Sequence, residues 1–156
     1  MDYDSISKSY NSLYEKEQLK KLELISKIIK VKKTDKLLDI GCGTAISTNY
    51  FKCLSIGIDP SFNMLKLGKG NRVNAFAEYL PFKDKSFDII LAVTSIHNFS
   101  NINKAINEIK RVSNDNARIV ITLLRKSNKF DEIKSKLLNN FKFKQMEEEK
   151  DVILFR

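Results

Sequence analysis

Two glycines flank a cysteine in Gly41-Cys42-Gly43, directly after the apolar stretch Leu37-Leu38-Asp39-Ile40. A strand running into such a turn brings backbone close to a ligand, where any Cβ would collide. A dinucleotide fingerprint needs a further glycine at position 46, which is Ile46, and no Lys-Ser/Thr pair follows to hold a nucleoside triphosphate. Asp39 would repel a pyrophosphate and suits an ammonium group. Asp59 ends a second apolar stretch, where a carboxylate can accept from both ribose hydroxyls. Taken alone, an aspartate before Pro60-Ser61 could simply shape a turn; with the glycine loop beside it, the ribose role is the favoured one. Together these residues describe a ligand with a ribose, a cationic end and no phosphate.

His97 is the single histidine, in Thr94-Ser95-Ile96-His97-Asn98-Phe99. An imidazole there could act as a general base near neutral pH, or serve as a hydrogen-bonded loop histidine that shapes the pocket. With two cysteines and one histidine, no zinc finger, zincin or iron–sulfur arrangement can be assembled, and no metal ligand is expected.

Periodicity supplies the elements that must position these groups. A helix is expected over 15–31, with Leu19, Leu22, Ile25 and Ile29 on one face. Strands are expected at 37–40, 55–59, 74–78, 87–93 and 118–124. Pro60-Ser61 starts a helix to Leu67, ended by Gly68 and Gly70. Ile102, Ile106, Ile109 and Val112 mark another helix, capped by Asn101 or Asn103. Asn128 is expected to cap a helix carrying Phe130, Ile133, Leu137 and Phe141, and residues 142–155 read as a hairpin turning at Glu149-Lys150. Alternating strands and helices mean an α/β fold with a mainly parallel sheet, and ligands bind beyond its carboxyl ends.

At 156 residues the chain fits one domain. The stretch 1–35 is read as a helical cap and 36–156 as the core. Its longest apolar run, Ile89 to Val93, falls far short of the ~20 residues a membrane helix needs, and the polar, acidic start is no signal peptide. A cytoplasmic chain with no membrane contact is expected. The net charge of +9 comes from 28 basic and 19 acidic residues spread along the sequence, without an arginine-rich block. A lysine-rich solvated surface explains it better than a polyanion site.

S-adenosylmethionine has the constitution inferred above, and the motifs carry a resemblance that agrees with it. Leu37 to Thr44 resembles the first motif of class I S-adenosylmethionine-dependent methyltransferases, and Gly57-Ile58-Asp59-Pro60-Ser61 with Met64 is similar to their second. Ala77-Glu78-Tyr79-Leu80-Pro81-Phe82 followed by Ser86-Phe87-Asp88 resembles the small-molecule-type, type 11-like branch. The resemblance covers about residues 36–124. It implies a three-layer, Rossmann-like, seven-stranded, mostly parallel sheet with an antiparallel C-terminal edge hairpin.

The same resemblance implies residue roles. Gly41, Cys42 and Gly43 would face the methionine moiety, with Asp39 helping to hold its amino end. Asp59, beside Pro60, would bind the ribose, and Met64 would cover one adenine face. Phe76, Ala77 and Glu78 would lie along the adenine edge, Val93 and Thr94 would contact the cofactor, and His97, after the fourth strand, would sit near the methyl group. In an N-terminal segment resembling one that folds over the cofactor, Tyr10 or Tyr14 would contact the ligand or close the pocket; a plain packing helix with tyrosines at the rim is the alternative. Three departures stand out: Phe76 replaces a frequent aspartate, Ala45 replaces a third glycine, and Asn114-Asp115-Asn116-Ala117 replaces a Pro-Gly-Gly turn. Asparagine and aspartate tolerate turns, so an altered loop is expected there.

The fourth strand does not lead into Asn/Asp-Pro-Pro-Tyr, the clamp by which many members of the resembled family hold a planar amide or adenine amine, so the resemblance points away from base N-methylation and glutamine methylation. Members of the resembled family that act on small molecules usually carry a large lid between the fifth strand and the last hairpin. Only one helix, roughly Asn128 to Phe141, lies there in this sequence, so the resemblance implies an open pocket. That openness and the positive charge favour an RNA or protein acceptor slightly over a small molecule. A pocket completed by a partner subunit or a second copy is the other expectation, as is a non-catalytic cofactor-binding scaffold.

Overall fold

In a computed structural model, the backbone is described for residues 3–156 and the side chains for residues 11–156. Helix α1 (Tyr3–Ile28) leads to strand β1 (Lys36–Ile40), a short helix α2 (Ile46–Tyr50) and β2 (Leu54–Asp59). Then follow α3 (Phe62–Leu67), β3 (Arg72–Asn74), β4 (Phe87–Ala92), one 3-10 turn (Ile96–Asn98) and α4 (Ile102–Val112). The chain closes with β5 (Ser113–Leu124), α5 (Phe130–Asn140), β6 (Lys144–Glu147) and β7 (Asp151–Phe155).

Seven strands lie in the order β3-β2-β1-β4-β5-β7-β6. The five strands β1 to β5 pair parallel, and β7 runs antiparallel to both β5 and β6. This is the Rossmann-like α/β architecture expected from the sequence.

Strand alternation sends the two faces of the sheet into separate cores. Leu38, Ile40, Ile90 and Ala92 pack with Ile106 and Ile109 of α4 and Ile133 and Leu137 of α5. Leu37, Ile89, Leu91 and Val120 pack with Leu22, Ile25 and Ile29 of the α1 region and with Phe51. Asp39 therefore faces the same side as Leu37, toward α1 and α2. Its loop partner is fixed from the other direction, because the Gly41 and Cys42 N–H groups both donate to Ile58 O, at 2.8 and 2.9 Å.

Several local expectations are corrected. The third strand is Arg72–Asn74 rather than 74–78. Ala77 and Leu80 turn into the core, and Glu78 Oε1 accepts the Asn101 N–H at 2.9 Å, so the chain leaves the sheet edge after Asn74. Asn128 does not cap α5: Lys129 holds that position without a side-chain bond, while Ser127 Oγ accepts the Lys129 N–H. The first helix ends at Ile28. Residues 114–117 form no turn but an irregularity inside β5, where the register with β4 shifts between Phe87 and Ile89. Asn114 Nδ2 donates to Asp88 Oδ1 at 2.6 Å, which draws this polar stretch into the sheet. Asn101, by contrast, caps α4 as expected, accepting from Lys104 N–H at 3.0 Å.

Candidate cofactor site

The loop leaving β1 is a tight left-handed turn. Gly41 and Gly43 take φ of +75° and +53°, and Ala45 follows at +66°. A Cβ on Gly41 would sit 2.4 Å from Ser95 Cβ. On Gly43 it would meet only Met64 Cε, at 3.5 Å, so it would project into the cleft above the loop. Ala45 thus takes the conformation a third glycine would adopt freely, at a strain of roughly 1–2 kcal/mol.

Beneath the loop lies Asp39, with no solvent exposure. Its Oδ2 accepts from Ser47 Oγ at 2.6 Å and Thr48 Oγ1 at 2.7 Å, whereas Oδ1 has no partner. Burial pushes its carboxyl up to about 6, against the two hydroxyl bonds. The Cys42 thiol is driven up to about 12 by burial and by the neighbouring Asp39 and Asp59 carboxylates, so it is an inert packing group. A Cβ on Gly57 would come within 2.6 Å of Cys42 Sγ and Thr48 Oγ1, which explains the missing side chain in β2.

Asp59 joins the loop to the end of β2. Its Oδ2 accepts the Gly43 N–H at 2.9 Å and its Oδ1 accepts the Ser61 N–H at 2.8 Å. Each oxygen retains a further lone pair for a ligand hydroxyl.

Two clefts meet at Gly41. One is lined by Gly41, Cys42, Gly43, Met64, Val93 and Thr94, with Tyr14 and Gln18 of α1 as its roof and Ser47 in its wall. The other is lined by Pro60, Phe76, Ala77 and Glu78, with Ile58 and Phe99 behind them. The sequence-derived set is therefore brought together, with five exceptions. Asp59 lines neither cleft, and its two oxygens take the Gly43 and Ser61 N–H groups. Asp39 lies under the floor and reaches the first cleft only through Ser47. Glu78 spends one carboxylate oxygen on the Asn101 N–H, so it anchors the second cleft's wall. Tyr10 lies outside the described side chains.

His97 is the fifth. It lines neither cleft, and its Nε2 accepts the Leu124 N–H at 2.7 Å, the lone pair a base would use. Burial holds its imidazole below the usual value. The ring ties the loop after β4 to the end of β5.

Sequence reasoning missed Gln18, Ser47, Lys21 and Asp151. Lys21 Nζ donates to Thr94 Oγ1 at 2.9 Å and pairs with Asp151 Oδ2 at 2.6 Å. Thr94, a β-branched residue at φ +54°, also donates its N–H to Thr122 Oγ1 at 2.7 Å. The helical spacing of Gln18 and Lys21 was a usable signal for one face of α1; the reach to Asp151 was not.

No group of three or more His, Cys, Asp or Glu that could hold a metal occurs among the described residues. No helix among them is long and apolar enough to cross a membrane.

Comparison with known proteins agrees with this geometry. The model of the family described as "Methyltransferase domain" matches residues 38–121. An uncharacterized protein of Methanocaldococcus jannaschii is 37% identical over 152 residues, covering 90% of this chain and 57% of that one. A demethylmenaquinone methyltransferase of Streptomyces avermitilis is 30% identical over 105 residues, covering 62% of this chain and 46% of the relative. The chain thus spans about half the length of the curated relatives it matches. The crystal structure of a SAM-dependent methyltransferase from Aquifex aeolicus superimposes with a TM-score of 0.71 at 18% identity, over 86% of this chain and 87% of that one, which shows a shared fold.

Proposed function

Since the chain belongs to the methyltransferase-domain family, whose model spans residues 38–121, we propose that it binds S-adenosylmethionine across the two joined clefts and methylates a small-molecule acceptor. One arrangement carries the reading. Asp59 accepts the Gly43 N–H, and Gly43 offers the first cleft a bare backbone where a Cβ would intrude. Beneath that backbone sits a buried carboxylate, Asp39, with one oxygen lacking a donor. The residues fit the cofactor: a bare cradle, a carboxylate with lone pairs for ribose hydroxyls, and buried negative charge near the ammonium end.

Gly41 to Gly43 and Ser47 would hold the methionine part, Asp59 the ribose, and Met64 and Pro60 the adenine, with the Phe76-Ala77-Glu78 backbone along its edge. Bound S-adenosylmethionine supplies a methyl group already activated on a sulfonium. The chain's own task is therefore positioning and the exclusion of water. Tyr14 and Gln18 roof the first cleft from α1, and Thr94 is held at its far end by Thr122 and Lys21. His97 acts as a positioning residue, because its Nε2 is committed to Leu124.

The RNA or protein preference drawn from charge gains no support from the relatives. Those named as demethylmenaquinone methyltransferases favour a small acceptor. Exposed Leu67 and Phe76 border the clefts, a feature that would suit closure by a partner subunit or second copy. Offering labelled S-adenosylmethionine with separate small-molecule, RNA and protein pools tests the acceptor class. Label is expected in the small-molecule pool; label confined to a macromolecular pool would contradict the reading.

A further inference from the structure

A third cleft lies between α1 and the turn joining β6 to β7, with Leu24 and Ile153 as its apolar walls. Two ion pairs cross it. Glu17 pairs with Lys150 near the surface, and Lys21 pairs with Asp151 deeper in. Of the remaining charges, Glu148 and Glu149 face a single Lys20, so the cleft is acidic overall.

Asp151 supplies the second, independent observation. Its side chain is 3% exposed, yet Oδ1 has no hydrogen-bond partner. A buried carboxylate oxygen without a donor is costly, so a site of this form is built to receive one. The opposite oxygen holds the ammonium of Lys21, which is also bonded to Thr94 Oγ1. Thr94 lines the candidate cofactor cleft. A single ammonium group therefore stands between that cleft and the third one, held by a carboxylate and a hydroxyl.

We propose that this third cleft is the acceptor subsite and takes a small ligand bearing a cationic amine, whose ammonium replaces that of Lys21 on Asp151 and Thr94. That ammonium anchors the ligand; a separate nucleophilic atom of the ligand forms the bond to the methyl group as the sulfonium–methyl bond breaks, S-adenosylhomocysteine leaves, and the nucleophile's proton passes to water. Identification of the ligand as the acceptor rests on the methyltransferase reading; its recognition as a cation does not. The physical basis is an exchange of like for like. Lys21 has a long side chain, 13% exposed, which returns its charge to water when displaced. An incoming ammonium leaves Asp151 compensated. A neutral or anionic ligand in the same place would leave a bare buried carboxylate, the costly outcome when one partner of a buried pair is removed. The surplus of Glu148 and Glu149 at the rim attracts the same sign of charge.

n-Butylamine and n-butanol, equal in shape and different in charge, are the probes, titrated into the full chain and followed by NMR. The amine is expected to bind and the alcohol not to. Lys21→Ala, which removes the competing ammonium, should tighten the amine by about tenfold, and Asp151→Asn should abolish its binding. Glu148→Gln with Glu149→Gln, both at the rim, should weaken it by about two- to threefold with the fold intact. Equal binding of the alcohol, or amine binding unchanged in both Asp151→Asn and the rim variant, would overturn the proposal. S-adenosylhomocysteine is titrated separately in every variant. Its failure to bind the parent chain would refute the methyltransferase reading, while the amine titration still judges the cleft. Amine binding without label transfer from S-adenosylmethionine to any amine in a small-molecule panel would overturn the acceptor assignment.

Discussion

Asp59 and Gly43 meet through a 2.9 Å bond from the Gly43 N–H to Oδ2, which ties the end of β2 to the glycine turn after β1. The turn is thereby held with its bare Cα toward the cleft. Gly43→Ala places a Cβ there and forces φ +53° on an L side chain. It is expected to cost about 1–2 kcal/mol of stability and to weaken S-adenosylhomocysteine further than that loss explains. Urea denaturation read beside calorimetric titration separates the two effects. An alanine variant with unaltered ligand affinity would show that the ligand does not approach this backbone.

Asp39 makes stability depend on pH. Its folded value, about 6, lies above the ordinary 3.8, so the folded chain binds this proton more tightly than the unfolded chain. The contribution is fully present below about pH 4 and is lost as pH rises through about 6. A shift of that size corresponds to about 3 kcal/mol. Asp39→Asn is expected to flatten the melting profile between pH 4 and 6 and to be no less stable than the parent at pH 7. A variant that melts earlier at pH 7 would show that the hydroxyls of Ser47 and Thr48 outweigh the burial.

Lys21 and Asp151 form a buried pair, so breaking it from one side is worse than removing it. Lys21→Met is expected to cost about 3–5 kcal/mol at neutral pH, and Lys21→Met with Asp151→Leu to recover most of that loss. Denaturant midpoints of the two single variants and the double variant form the cycle. Independent, additive losses would mean the pair is not coupled in solution.

His97 is expected to hold position rather than move a proton. Its folded value is lowered, so its stabilising effect is present above pH 6.5 and fades as pH falls through that lowered value. His97→Ala strips the Leu124 N–H of its acceptor, at a cost of about 1–3 kcal/mol. His97→Gln, whose side-chain oxygen can accept the same bond, should retain most of the methyl-transfer rate without a shift in the pH–rate profile. Loss of the acidic limb in that variant would restore the imidazole to a role as base.

What could be read in the sequence was whatever rests on local periodicity and on short-range chemistry. The run from Phe87 to Ala92 is apolar because β4 is buried on both faces, so it announces itself. Asn101 is a visible cap, and Gly41-Cys42-Gly43 a visible turn. Edge strand β3 carries no such pattern, since Arg72, Val73 and Asn74 are placed by pairing with Gly57, Ile58 and Asp59. Asn114 to Ala117 looks like a turn and becomes a bulge, because Asp88 and the Phe87–Ser113 pairing capture it from across the sheet. Lys21 and Asp151 were hidden for the same reason. Each looks like an ordinary surface charge in its own segment, and only the packing of α1 against the start of β7 brings them into contact.

The most direct measurement is a thermal shift with S-adenosylmethionine and with S-adenosylhomocysteine, for the parent chain and for Asp59→Ala. Ligand at 100 times its dissociation constant contributes about 2.7 kcal/mol, which at this size raises the midpoint by roughly 5–10 °C. The account predicts that shift with both ligands in the parent and its loss in Asp59→Ala. No shift in the parent at millimolar ligand, or an equal shift in the variant, would contradict the placement of the cofactor between the glycine turn and Asp59.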